Sequence, residues 1–321
     1  MKTVYLCENV QNIRNVYATD ETVYCKDDVI NHAERFKDTE YIFSTWGMPG
    51  FTEEEIKTCL PRLKAVFYGA GTVQYFARPF LSCGVKVFSA WAANAVPVAE
   101  YTVAQIILAN KGFYQSSRIA KTGDHNAAID FFRANSGNYE VKVGIIGAGM
   151  IGKLVIKMLK AYNLEILVFD PFLPDEKAKE LGVKKCSLDT IFKESQVVSN
   201  HLADNNETKG MLKGEHFASM LPYSTFINTG RGAQVVEEDL INVLKTRSDI
   251  TALLDVTMPE PPQEDSGFYT LPNCILTPHI AGSFGNEVRR MGKYMNEEYD
   301  NLIENRPCKY EVTLDMLKTM A

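Results

Sequence analysis

Short apolar runs alternate with amphipathic stretches along the first hundred residues. Four runs rich in β-branched and aromatic residues predict strands, at 3–7, 41–45, 64–68 and 86–89. The stretches between them have the apolar spacing of helices, and Thr52 followed by Glu55 predicts a capping box at the start of one helix. Strands that alternate with helices predict a parallel sheet covered on both faces.

A second series of the same kind begins near residue 139. Six runs that are apolar almost throughout predict buried parallel strands, at 141–146, 165–169, 196–200, 224–228, 251–254 and 274–277. Pro97 is expected to open a long helix to about residue 111 that connects the two series. The stretch 112–138 shows no strand pattern and is interpreted as helical and as a surface for a second subunit. A further helix is expected after Gly282.

Charge and cysteine usage exclude several classes of protein. The net charge is −6 with no run of lysine or arginine, so no nucleic-acid partner is expected. No apolar run reaches the ~18 residues of a membrane span, so no membrane partner is expected either. The seven cysteines are scattered and form no close pair. This pattern favours a reducing cytoplasm over a disulfide framework, and it predicts no metal site.

The segment 147–152, Gly-Ala-Gly-Met-Ile-Gly, lies between the predicted strand 141–146 and a predicted helix. In that context the first glycine permits a tight turn, the second lets a pyrophosphate approach, and the third allows close helix–strand packing. The free N–H groups of the helix N-terminus favour phosphate oxygens. The residues expected to contact a dinucleotide here are Gly147, Gly149, Met150, Ile151 and Gly152.

Asp170 ends the next predicted strand, about 20 residues further on, where a carboxylate can accept both hydroxyls of the adenine ribose. It would repel the extra phosphate of NADP, and no arginine follows it. The pattern therefore favours NAD as the cofactor. An Asp-Pro pair also often starts a turn, and this alternative stays open from the residues alone.

Transfer of a hydride to a carbonyl carbon leaves an oxygen that needs a proton, and histidine is the natural donor near neutral pH. Of the five histidines, His32, His125 and His216 lie among charged residues and are expected at the surface. His201 and His279 each follow a predicted strand, at the sheet edge where parallel sheets bind ligands. The residues alone do not decide between these two.

Two further candidates follow neighbouring strands. Arg231 stands between two glycines, where its guanidinium could bind a carboxylate through two parallel hydrogen bonds; a surface turn is the equal alternative. Glu260 lies in a proline-rich segment after Asp255. A carboxylate beside a histidine favours the charged form of the ring, although Glu260 alone has the pattern of an acidic loop residue.

Together these residues resemble the D-isomer-specific 2-hydroxyacid dehydrogenases, over essentially the whole chain. The resemblance is densest at 143–152 with Asp170, at 228–232, at 255–261 and at 277–282. It implies that Arg231 binds and polarises a 2-oxo acid and that His279 donates the proton. Glu260 would keep His279 protonated and oriented. The implied activity is hydride transfer between NAD(H) and a small 2-hydroxy or 2-oxo acid.

The same resemblance assigns further contacts to both halves of the chain. Those expected along the cofactor, with Asp255 at the nicotinamide amide, are His201, Ala203, Thr229, Gly230, Arg231, Asp255, His279 and Gly282. In the first half, Ala70 and Gly71 match a loop whose backbone N–H groups hold the substrate carboxylate. Trp46 could line the substrate, but simple packing is the preferred interpretation.

Two departures from the family pattern change these expectations. Ala203, Asn205 and Asn206 replace Pro, Thr and Pro in the segment 201–208, which predicts a looser loop beside the cofactor. The segment 42–48 lacks the arginine often carried by relatives that act on phosphorylated substrates. Its absence favours an uncharged substrate side chain.

The predicted architecture is α/β, with two doubly wound parallel-sheet domains. Residues 1–100, joined by 289–321, are expected to form a smaller flavodoxin-like substrate domain, and residues 101–288 a Rossmann-like NAD-binding domain. A cytoplasmic homodimer that acts on a small-molecule substrate is expected. The alternative is an NAD-responsive, corepressor-like binding protein with little turnover.

Overall fold

The computed structural model describes residues 2–135 and 137–318. The chain divides into two compact units, one built from the residues up to Ala95 and from Ser283 onward, the other from Val96–Gly282. The sequence predicted these boundaries after residues 100 and 288, five and six residues later in the chain than the structure has them. The first predicted boundary falls within the helix 91–110, and the second falls at the first residue of the helix 288–303.

The first unit contains a six-stranded sheet. Its strands are β1 (Thr3–Leu6), β2 (Val23–Tyr24), β3 (Tyr41–Ser44), β4 (Ala65–Tyr68), β5 (Lys86–Ser89) and β13 (Glu311–Val312). They lie in the order β13-β5-β4-β3-β1-β2, and only β13 runs antiparallel. Without β13 this is the flavodoxin-like order, as predicted.

Six helices of this unit cover the sheet. They are α1 (Val10–Tyr17), α2 (Lys26–Asn31), α3 (Ala33–Phe36), α4 (Glu53–Cys59), α5 (Ala77–Ser82) and α14 (Val288–Ile303). The predicted capping box starts α4, where Thr52 accepts from the backbone N–H of Glu55 and the Glu55 carboxylate accepts from that of Thr52. Buried aromatic side chains dominate one face of the sheet, with Phe67 stacked on Phe88 at a centroid distance of 5.0 Å.

The second unit contains a fully parallel seven-stranded sheet. Its strands are β6 (Val141–Ile146), β7 (Leu164–Phe169), β8 (Lys184–Lys185), β9 (Val197–Asn200), β10 (Thr225–Asn228), β11 (Thr251–Leu254) and β12 (Cys274–Leu276). The order β12-β11-β10-β9-β6-β7-β8 is the Rossmann order with one strand added, as predicted. The strand order reverses between β6 and β9, and ligands bind at the carboxyl ends of the strands at such a point.

The remaining helices are α6 (Trp91–Asn110), α7 (Phe113–Lys121), α8 (His125–Ala134), α9 (Met150–Leu159), α10 (Asp175–Leu181), α11 (Leu188–Glu194), α12 (Gly214–Ala218) and α13 (Glu237–Thr246). Short 3₁₀ turns occur at Gly232–Gln234, Gly267–Tyr269, Gly285–Glu287 and Met316–Lys318. Most predicted strands are confirmed to within a residue or two, and α7 and α8 lie in the stretch that was expected to be helical.

The start of α6 was predicted wrongly. The helix begins at Trp91 and not at Pro97, because the N–H groups of Ala93 and Asn94 already bond the carbonyl of Ala90. Pro97 lies inside the helix, where its ring removes one donor without ending the pattern.

The helix α6 has the length and composition of a membrane span, with a mean hydropathy of 1.2. Half of that window is buried within the protein, which is typical of a core helix as well. Ala99 and Ile106 on this helix belong to the core of the second unit.

Candidate active site and cofactor turn

The glycine turn joins β6 to α9, as the sequence predicts. Gly147 has a φ of +91°, and a Cβ there would lie 2.8 Å from the carbonyl oxygen of His201. A Cβ on Gly152 would lie 2.0 Å from the carbonyl oxygen of Gly147. Both positions therefore require glycine because other backbone passes too close for a side chain.

Gly149 is different, because a Cβ there would have no atom within 4 Å. It is also the N-cap of α9, and no side chain caps this helix. Its first N–H groups are thus free for an anion, beside a helix dipole of the favourable sign. The open space at Gly149 and the uncapped helix fit a dinucleotide pyrophosphate.

Asp170 follows β7 and lies against this turn. One carboxylate oxygen accepts from the N–H of Ala148 at 2.7 Å, and the other accepts from the N–H of Phe172 at 2.8 Å. Asp170 therefore forms the turn that an Asp-Pro pair suggests and also fixes the glycine turn. Each oxygen keeps a further lone pair that could accept a ribose hydroxyl.

Arg231, Asp255 and His279 follow three adjacent parallel strands, β10, β11 and β12. Their backbone therefore lies along the same carboxyl edge of the sheet. Glu260 reaches this edge from the loop after β11, and its Oε1 lies 2.7 Å from Nδ1 of His279. The side chain of His279 is 48% exposed, and that of Glu260 is 44% exposed. The structure thus pairs an accessible imidazole with a carboxylate, as the sequence predicts.

The turn that carries His279 is built on the buried carboxylate of Asp255. This carboxylate accepts from the N–H of Ile280 at 2.8 Å and from that of Ala281 at 2.9 Å. It also accepts from the hydroxyl of Thr277 at 2.6 Å. The turn holds His279 at a φ of +55°, and the sequence did not indicate this supporting role for Asp255.

The loop around Arg231 is packed tightly onto its neighbours. A Cβ on Gly232 would lie 2.0 Å from the carbonyl carbon of Thr257, so this position also requires glycine. The guanidinium Nη1 donates to the carbonyl of Gly230 at 2.8 Å. Within the described part of the chain no carboxylate forms a salt bridge with Arg231. Its charge is therefore available to an anionic ligand.

Comparison with known proteins decides the family. Residues 103–281 match the D-isomer specific 2-hydroxyacid dehydrogenase, NAD binding domain. The chain belongs to this family. It is a member of a family of NAD-dependent oxidoreductases, and the second unit is its NAD-binding domain.

Similar proteins agree with this assignment. The D-3-phosphoglycerate dehydrogenase of Archaeoglobus fulgidus is 30% identical over 238 residues, 73% of this chain and 44% of that protein. This chain thus spans less than half the length of that relative. The NAD-complexed D-isomer specific 2-hydroxyacid dehydrogenase of Lactobacillus delbrueckii ssp. bulgaricus has a TM-score of 0.77 and 18% identity. The match covers 98% of this chain and 100% of that one. The D-mandelate dehydrogenase of Rhodotorula graminis has a TM-score of 0.76 and 20% identity, and the match covers 97% of each chain. These two structures share the fold.

Among the histidines of this 2-hydroxyacid dehydrogenase family member, His201 is buried, and burial lowers its pKa to about 3. Its Nε2 lies 2.9 Å from the hydroxyl of Ser199. A ring that stays neutral and enclosed at neutral pH is a poor proton donor, which leaves His279 as the candidate. His216, expected at the surface, is also buried, because its ring packs on Phe192 and its Nδ1 caps α12 through Lys213.

In the first unit, the loop after β4 presents unpaired backbone donors. The carbonyls of Ala70 and Gly71 accept from the Ser89 hydroxyl at 2.9 and 2.5 Å, and Ala90 also donates to Ala70. The N–H groups of Ala70 and Gly71 have no acceptor among the described residues. Trp46 is 40% exposed, and its interpretation as a packing residue stays a prediction.

The other predicted cofactor contacts lie at the same edge of the second sheet. The Thr229 hydroxyl is 3.2 Å from that of Thr102, and the carbonyl of Ala203 accepts two side-chain donors. Gly282 ends the unit, directly after the turn of His279. Three buried amides at this edge could not be predicted from the sequence, because an amide at a strand end or in a turn resembles an ordinary turn residue; they are Asn200, Asn228 and Gln234.

Proposed function

We propose that this protein is a 2-hydroxyacid dehydrogenase that interconverts a small 2-oxo acid and its D-2-hydroxy acid. The observation that carries the proposal is the accessible pair of His279 and Glu260, 2.7 Å apart at the edge that also holds the glycine turn. Bound NAD(H) would supply or accept the hydride. The protein's own residues handle the proton and the carboxylate.

His279 is the proposed acid and base. With Nδ1–H donated to the Glu260 carboxylate, Nε2 is the ring atom left to exchange a proton with the substrate oxygen. The hydrogen bond to Glu260 orients the ring, and the turn on Asp255 fixes its position. Arg231 is the proposed partner of the substrate carboxylate and of the developing negative charge on oxygen.

The free N–H groups of Ala70 and Gly71 are also proposed to bind a carboxylate ligand. Gly71 is partly exposed, so an acceptor can reach this loop, and an N–H group without an acceptor is costly when it is buried, as at Ala70. A carboxylate oxygen satisfies such donors directly. This supports an acid as substrate independently of the second unit.

The alternative of an NAD-responsive binding protein with little turnover is not favoured. Such a protein has no need of an exposed histidine that is paired with a carboxylate. A panel of 2-oxo acids, assayed by NADH absorbance over a broad pH range, tests the proposal. Turnover of at least one acid is expected, with the product of D configuration. If NADH reduces no acid in the panel, the proposal is refuted.

A homodimer is the proposed assembly. The helical stretch 112–138 and its flanks expose Phe113, Phe132 and Tyr139, at 50%, 75% and 66%. Aromatic surface of this kind is typical of an interface. Light scattering after size exclusion should give twice the mass of 36.0 kDa, and a Phe132→Ser variant should shift towards the monomer.

A further inference from the structure

Three side-chain amides are buried together at the carboxyl edge of the second sheet. Asn200 and Asn228 are the last residues of β9 and β10 and face each other in register. Gln234 follows in the 3₁₀ turn after Arg231. All three are at most 1% exposed.

The amides are joined by direct hydrogen bonds. Nδ2 of Asn200 donates to Oδ1 of Asn228 at 3.0 Å and to Oε1 of Gln234 at 2.5 Å. Buried amides are costly when any donor or acceptor lacks a partner. The position of each amide is therefore closely constrained by the others.

The outer bonds of Gln234 reach two loops. Its Nε2 donates to the carbonyls of Leu202 and Ala203, at 2.8 and 3.0 Å. Its Oε1 also accepts from the backbone N–H of Arg231 at 3.3 Å. Both donor hydrogens and both lone pairs of this amide are thus used. One side chain ties the loop after β9 to the loop of the proposed substrate arginine.

The companion amides repeat the connection. Oδ1 of Asn200 accepts from the N–H of Leu202 at 3.3 Å. Nδ2 of Asn228 donates to the carbonyl of Arg231 at 3.1 Å, and its Oδ1 accepts from the N–H of Gly230 at 3.1 Å. In both loops the amides form hydrogen bonds to backbone groups and not to the side chains of the loop residues.

The loop after β9 passes directly against the cofactor turn, since its first carbonyl, that of His201, lies 2.8 Å from the Cβ position of Gly147. The sequence predicted a looser loop here, because prolines are replaced by Ala203 and Asn206. Gln234 instead holds this segment by hydrogen bonds to its carbonyls.

We propose that Gln234, with Asn200, is a positioning residue that pre-forms the cofactor loop and couples it to the Arg231 loop. Neither side chain touches the ligand in this account. A pre-formed loop binds NADH without the entropic cost of ordering it, so loss of the amide bonds should weaken NADH binding. Only the part of this inference that concerns Arg231 rests on the proposed function.

The test separates positioning from stability. Gln234→Met keeps the side-chain length but removes every hydrogen bond of Gln234, and the double variant N200L/Q234M replaces both partners by apolar groups of similar size. Both variants leave backbone groups of Leu202 and Arg231 without these partners, so both are expected to lose stability. Asn273→Leu is the matched control, since Asn273 is a buried amide that donates to three backbone carbonyls at the opposite edge of the sheet.

Urea unfolding and NADH titration by fluorescence are measured for the four proteins. We expect Q234M to raise the Kd for NADH about tenfold, because the loop after β9 loses its two hydrogen bonds to Gln234. The double variant should keep the raised Kd and be no more stable than Q234M, because the N–H of Leu202 also loses its partner. Asn273→Leu should lose stability, but its Kd for NADH should stay within about twofold of the wild-type value, well below the tenfold rise expected for Q234M.

A Kd that returns to the wild-type value in the double variant, together with stability, would overturn the proposal and leave a structural role only. An unchanged Kd in Q234M would overturn it as well. If Q234M does not fold, Asn200→Leu decides by the same outcomes, a raised or an unchanged Kd, because it removes the bond to the N–H of Leu202 while the bonds of Gln234 to Leu202 and Ala203 remain. Because the readout is NADH affinity, a wild-type protein that reduces no 2-oxo acid would refute the proposed function without affecting this test.

Discussion

Replacement of Gly149 by alanine should separate cofactor binding from folding. Gly149 has a φ of −72° and a ψ of −156°, a backbone conformation that alanine adopts, and nothing lies within 4 Å of the new Cβ. The substitution also restricts the unfolded chain. We therefore expect a free energy of unfolding unchanged or raised by about 0.4–1 kcal/mol.

The same methyl group occupies the space through which a pyrophosphate would approach the first turn of α9. Loss of one charge-assisted hydrogen bond to a phosphate oxygen costs about 1.5–3 kcal/mol. The Kd for NADH should then rise by about 10-fold to 100-fold. Urea unfolding and fluorescence titration with NADH measure the two quantities on the same preparation.

Gly152→Ala is the matched contrast. Its Cβ would lie 2.0 Å from the carbonyl oxygen of Gly147, so the helix or the turn must move, at a cost of about 1–3 kcal/mol or more. Here stability should fall together with affinity. Wild-type affinity for NADH in the stable Gly149→Ala protein would refute the reasoning, because the pyrophosphate could not then lie at this turn.

Three further outcomes are expected. Burial lowers the pKa of His201 to about 3, so below about pH 6.5 the unfolded chain binds a proton that the folded protein does not. The contribution of His201 to the free energy of unfolding is complete above that pH and falls by about 1.4 kcal/mol for each pH unit between about pH 5.5 and 3.5. As the pH is lowered, the urea midpoint of His201→Gln should therefore fall less steeply than that of the wild type. Glu260→Gln should lower kcat about tenfold or more with the Kd for NADH unchanged, whereas an equal loss of NADH affinity would contradict its role. Gly232→Ala should destabilise by about 1–3 kcal/mol in urea, because its Cβ would meet Thr257, and full stability would contradict this packing.

The glycine turn could be predicted because its chemistry lies in a local motif, whereas the Glu260–His279 pair followed from the resemblance to the family. Each motif follows a strand of strong apolar character, and parallel strands bring their carboxyl ends to one edge. The three two-residue strands β2, β8 and β13 could not be predicted, because two residues carry no periodic pattern.

The supporting contacts of the site were beyond sequence reasoning for a different reason. Asp255 bonds residues more than 20 positions away in the chain, and Gln234 bonds residues about 30 positions away. Polar side chains of this kind have the local pattern of loop residues, and only the fold shows that they are buried. Similarly, His216 stands among charged residues in the chain but packs on Phe192.

The central claim is that His279 exchanges the proton while NADH reduces a 2-oxo acid. The most direct test is kcat/KM for the best acid of the panel, measured for wild type and His279→Gln, with the Kd for NADH determined in parallel. The account predicts a loss of about 10²–10⁴-fold in kcat/KM and a Kd within about twofold of wild type. A variant that reduces the acid at the wild-type rate would contradict it.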